Sequence, residues 1–253
     1  MQGNRYGFLF FALWYAAFIA SCTATHSVRT VGKGNSAVEM SLGGPFFTNL
    51  GGAIPAPNLF IGGRYGVRDD LDVSLEYNLT SPIVPGITLD GIFGAHYVPI
   101  QPGIGHQRDT KNKGWSLATA AALHLLTDFQ NGAIAIPETE LAGGWRYKWF
   151  NPYIGLSLAL HFYRPYDHTE PVFLSPFVGA DFIINKKATV GFRLTLYDVL
   201  YNMYGSQVDW VYLVNDTSAH KKYGMIGLSL DFSFDFIKKD PARLRNLGTG
   251  GPQ

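Results

Sequence analysis

The chain has 253 residues, of which 15% are charged and 15% aromatic, with 29 glycines, one cysteine and a formal net charge of +1. That balance gives no nucleic-acid footprint, and a lone cysteine excludes an intrachain disulfide framework. After the N-terminal leader no apolar run reaches about 18 residues, so no further helical span is indicated.

Met1 to Tyr6 carries one positive charge, Arg5, and no acid. Gly7 to Ala20, "GFLFFALWYAAFIA", is uncharged. It is short for a spanning helix, which needs about 20 residues, but has the order of a secretory signal: basic start, apolar middle, small residues before the cut. The leader ends in "IASC", Ile19 to Cys22, which resembles the lipobox of bacterial lipoproteins: an aliphatic residue, two small ones, then cysteine. The resemblance implies cleavage between Ser21 and Cys22, lipid on the Cys22 sulfur and acylation of the new N-terminus. Several acyl chains together would hold that end on a membrane. A retained anchor helix, or an ordinary secretory leader with a chance cysteine, stays open. Residues 1–21 are therefore read as a signal peptide and 22–35 as a lipidated tether.

From residue 36 the pattern is period-two alternation, which sorts side chains onto the two faces of a strand. In "LDVSLEYNLT", Leu71, Val73, Leu75, Tyr77 and Leu79 oppose Asp72, Ser74, Glu76, Asn78 and Thr80. In "PYIGLSLALHF", Ile154, Leu156, Leu158, Leu160 and Phe162 oppose Tyr153, Gly155, Ser157, Ala159 and His161. In "ATVGFRLTL", Val190, Phe192, Leu194 and Leu196 oppose Gly191, Arg193 and Thr195. "GMIGLSLDFSFDF" sets Ile226, Leu228, Leu230, Phe232, Phe234 and Phe236 against Gly227, Ser229, Asp231, Ser233 and Asp235. Weaker alternation marks residues 36–43, 58–67, 87–98, 115–126, 133–149 and 172–184, for ten strands in all.

Many of these strands run about 10 to 13 residues. Soluble strands average about 5–6, whereas a tilted strand needs about 9–11 to cross the hydrocarbon of a bilayer. The polar face is mostly Gly, Ser, Thr and Ala, where a soluble surface would carry more Lys and Glu. Aromatics gather near strand ends, as in Trp145, Tyr147, Trp149 and Phe150, which suits a bilayer interface. Residues 36–236 thus resemble a small bacterial outer-membrane β-barrel, all-β, antiparallel and up-and-down. The tail, 237–253, is polar and glycine-rich and is read as disordered.

Connections "VRDD" (67–70), "WFNP" (149–152) and "INKK" (184–187) read as short turns on one side, and 44–56, 164–171 and 200–222 as long loops on the other. Two segments break that order. Residues 98–114 are long on the short-turn side, and 128–132 are tight on the loop side.

A barrel enzyme would need a nucleophile, a base in reach and an orienting group. His96, His124 and His161, with Asp90, Glu138, Glu140, Asp181, Asp231 and Asp235 as partners, show no hydrolase-like spacing, and no histidine pair has metal-ligand spacing on one strand face. No catalytic residue, metal site or cofactor is expected. Instead Arg64, Asp72, Glu76, Arg146, Arg193 and Asp231, with Glu39 and Lys148 beside them, are expected to form a lumen charge network. Hairpin arithmetic across "VRDD" places Arg64 near Val73, within reach of Asp72 or Ser74, with Asp72 the favoured partner, and Glu76 near residue 61. The expectation is a monomeric outer-membrane protein, lipid-anchored at Cys22, in contact with outer-membrane lipid, structural or surface-presenting, with a closed lumen. A narrow channel, a lipid-modifying barrel enzyme and a soluble lipid-anchored calycin-like binder stay as alternatives.

Overall fold

A computed structural model describes residues 28–47, 54–55, 58–80, 89–99, 114–127, 133–147, 149–160, 172–185, 187–202 and 223–236. Cys22, Lys148, His161 and the C-terminal tail lie outside the described residues. Eleven strands are present: β1 (Ser36–Phe47), β2 (Ile54–Pro55), β3 (Asn58–Arg68), β4 (Leu71–Asn78), β5 (Leu89–Tyr97), β6 (Gly114–Thr127), β7 (Ala133–Arg146), β8 (Phe150–Leu160), β9 (Val172–Ile183), β10 (Ala188–Asn202) and β11 (Tyr223–Phe236). Strand β2 only extends one end of β1, pairing with Phe46 and Phe47.

The other ten form a continuous antiparallel wall, each paired with its neighbour in the chain. Pairing of β1 with β11, from Ser36↔Phe236 to Pro45↔Gly227, closes the wall on itself. Closure satisfies every edge, the condition for a sheet that crosses hydrocarbon.

Alternation now has a direction. Leu75, Phe93, Ile154 and Ile226 are each more than half exposed on the outside, while Asp72, Ser74, Arg193 and Ser229 on the same walls are nearly inaccessible. Apolar residues face out and polar residues face in, the arrangement of a barrel solvated by lipid. Near the turn end an aromatic belt lies outside: Trp115 and Trp145 meet edge-on at 5.7 Å, and Phe150 packs on Phe182 at 5.2 Å.

The two irregular connections are genuine. Tyr97, at the end of β5, and Gly114, at the start of β6, lie at the turn end, so residues 98–113 link them there. Thr127 and Ala133, which pair with each other, end β6 and begin β7 at the loop end. Ends were less legible than strands: β7 stops at Arg146, three residues before the alternation does, and β10 continues to Asn202.

Residues 28–35, the described part of the expected tether, pack inside the turn-end mouth of the barrel. Val28 is fully buried among Val98, Ala118, Ala142, Tyr153 and Phe177. The segment crosses to the wall at Gly66, whose carbonyl accepts from Gly34 N–H at 2.8 Å and whose N–H donates to Asn35 at 3.0 Å. A Cβ on Gly66 would collide with the Gly32 backbone, and Gly32 itself has φ +77°, so this crossing demands glycine on both sides.

Candidate functional site

The lumen is the site, built from inward positions of successive strands. Nine carboxylates are buried among the described residues against four arginines. One of the nine, Asp70, lies on the β3–β4 turn, bonded to Arg68 at 2.9 Å. Buried charges must be paired and hydrogen-bonded to be tolerated, so the pairings decide what the lumen can do.

The first cluster centres on Arg64. Its Nη2 lies 2.6 Å from Glu39 Oε1, and its Nε is 3.8 Å from Asp72 Oδ2. This corrects the sequence-derived register. A bulge between Gly66 and Arg68 shifts β3 by one residue, so Arg64 lies opposite Ser74 and Gly62 opposite Glu76. The favoured acid is therefore Glu39, diagonal to Arg64 across β1, with Asp72 second. Asp72 also accepts the Val31 N–H at 2.7 Å, tying the inserted segment to the wall. Glu76 is buried beside Gly62, where any Cβ would strike its side chain.

A second cluster joins β7 to β10. Arg193 donates from Nη2 to Glu140 Oε1 at 2.6 Å and from Nε to Thr195 at 3.3 Å. Its guanidinium lies 3.6 Å over the Phe177 ring, a desolvated cation–π contact. Asp231 accepts from Ser41 at 2.8 Å, across the β1–β11 seam.

A third joins His124 to Glu138, one of the acids expected as its partners, and adds Ser157, which was not expected. Glu138 bridges His124, 2.6 Å from its Nε2, and Ser157, whose hydroxyl donates to the other carboxylate oxygen. Nearby, Asn78 donates to Asp90 at 2.8 Å. The Ser157 hydroxyl donates to the Glu138 carboxylate, whereas in a hydrolytic triad the serine donates to the histidine. The partners lie on β6, β7 and β8, related diagonally rather than directly across, which spacing within one strand does not reveal. Among the described residues no group of His, Cys, Asp and Glu is placed to hold a metal ion.

At the turn end, Arg29 of the inserted segment donates to Asn151 Oδ1 at 2.9 Å and to the Tyr147 carbonyl at 3.2 Å. Burial and the neighbouring Arg146 pull the Arg29 guanidinium down to about 10, with Asp181 opposing them. Ser116 donates to the Val28 carbonyl at 3.0 Å. Arg146 itself is 2% exposed at the end of β7.

No family model matches the chain, and no curated protein matches it. Solved structures do. The N-terminal β-barrel domain of Pseudomonas aeruginosa OprF matches at 14% identity, over 81% of this chain and 99% of that one, with a TM-score of 0.32. The outer membrane protease OmpT from Escherichia coli matches at 11% identity, over 80% and 96%, with a TM-score of 0.33. Ail, the attachment invasion locus protein of Yersinia pestis, matches at 8%, over 81% and 99%, with a TM-score of 0.25. The first is described as a β-barrel domain and the second as an outer membrane protein.

Proposed function

We propose that this chain is a monomeric bacterial outer-membrane barrel, lipid-anchored at Cys22, whose closed lumen makes it a structural or surface-presenting scaffold. The observation that carries this reading is residues 28–35 lodged in the turn-end mouth, above a lumen in which Arg64 and Arg193 are paired with carboxylates of other strands. A wall of ten strands encloses only enough room for side chains and a little more, which supports a lumen closed by them. The outward apolar face supports the membrane location. Five residues separate Cys22 from Val28 in the sequence, a reach of about 20 Å when extended. Lipid on Cys22 would then enter the leaflet beside the turn end.

Planar-bilayer recording tests the closed lumen. Wild-type protein should give no steady conductance, and a variant lacking residues 28–35 should give discrete openings. Steady conductance by the wild type would overturn the reading. One observation favours a narrow channel instead: the lumen wall carries more acids than arginines, so any current through it should be carried by cations.

A further inference from the structure

We propose that the turn end of the lumen binds one small monoanion, of halide or carboxylate type, between Arg146 of the wall and Arg29 of the inserted segment. Arg146 carries the argument. It is 2% exposed, and its Nε and Nη1 have no hydrogen-bond partner. Each of the other buried arginines keeps at least one unbonded nitrogen but has a partner on another: Arg64 in Glu39, Arg193 in Glu140, and Arg29 in Asn151 and the Tyr147 carbonyl. Among the described residues, no carboxylate lies within ion-pair distance of Arg146. A buried guanidinium left in that state is costly, because water can fill its hydrogen bonds but cannot neutralise its charge.

The neighbours fit an anion. Asn151 gives its carbonyl oxygen to Arg29, which leaves Nδ2 as a second buried donor without a partner. Asp181 lies directly opposite Asn151 on β9, and the row continues through Gly191 to Asp231, which is held by Ser41. One oxygen of Asp181 is also unbonded, so an anion must approach from the Arg146 side. Arg146, with no acid of its own among the described residues, is the positive charge that one monoanion balances. The position also gives the anion a consequence: it would bridge the wall to the segment that fills the mouth.

The test is chloride-35 NMR on purified full-length protein in a non-ionic detergent. Wild-type protein should broaden the chloride line, bromide should compete the broadening away, and Lys33→Gln should leave it unchanged. Arg146→Gln should reduce the broadening at least tenfold. Should Arg146→Gln fail to fold, wild-type crystals soaked in bromide decide the matter through an anomalous peak between Arg146 and Arg29. Wild-type protein that does not broaden the line, broadening retained by Arg146→Gln, or an ordered water without anomalous signal would each overturn the proposal.

Discussion

Arg64 Nη2 lies 2.6 Å from Glu39 Oε1, an ion pair that joins β3 to the strand that closes the barrel. Removing the cation leaves Glu39 and Asp72 facing each other in a buried space. Arg64→Ala should therefore lower stability by about 3–5 kcal/mol, read as a fall in the urea midpoint in lipid vesicles. A double-mutant cycle should give stronger coupling of Arg64 to Glu39 than to Asp72, which lies at 3.8 Å. Equal coupling would mean that the shorter contact carries no extra weight.

The outward face should show depth dependence. Leu228 lies near the middle of β11, opposite Leu194 and Gly44, whereas Phe236 ends the strand at the turn rim. Leu228→Arg should cost about 2–4 kcal/mol in vesicles, and Phe236→Arg about 0–1. Similar losses at the two positions would argue against a bilayer around this wall.

Glu138 holds two partners at once, so its loss should exceed theirs. Glu138→Ala leaves His124 and Ser157 without their shared acceptor and should cost about 3 kcal/mol, since hydrogen bonds to a charged group are the stronger kind. Ser157→Ala should cost about 1 kcal/mol. Comparing urea midpoints of the two variants checks the order.

The Val31 amide should be among the slowest-exchanging of its segment, because it donates to Asp72 Oδ2 at 2.7 Å inside the mouth. Asp72→Ala should speed its hydrogen exchange at least tenfold while amides in β9 keep their protection. Unchanged exchange at Val31 would show that packing of Val28 alone holds the segment.

Cys22→Ala should abolish labelling by a fatty-acid analogue and cleavage before residue 22, as "IASC" implies. Labelling that persists in the variant would place the lipid elsewhere or remove it from the account.

Facing was legible because alternation is a local property. Along β4 each residue from Leu71 to Asn78 has the orientation its parity implies, buried at Asp72, Ser74, Glu76 and Asn78. Partners were harder, because they depend on register. One bulged residue beside Gly66 moved Arg64 from Val73 to Ser74, and hairpin arithmetic between β3 and β4 could not see Glu39 on β1. The His124–Glu138–Ser157 cluster spans three strands on a diagonal for the same reason. Insertion of 28–35 left no periodic trace, since "VRTVGKGN" lies in the mouth as irregular chain held by glycine turns and side-chain bonds to Asp69, Asp72 and Ser116.

The glycine crossing at Gly32 and Gly66 also bears on the order of assembly. The inserted segment runs straight into β1, and β1 is one side of the seam that β11 completes. Once that seam has zipped, residues 28–35 can no longer be laid in sideways through an open wall. They would have to enter end-on, past the side chains of the mouth. Capture during the curling of the sheet is the shorter route. Residues 28–35 thus become a core around which the last strand finishes its work.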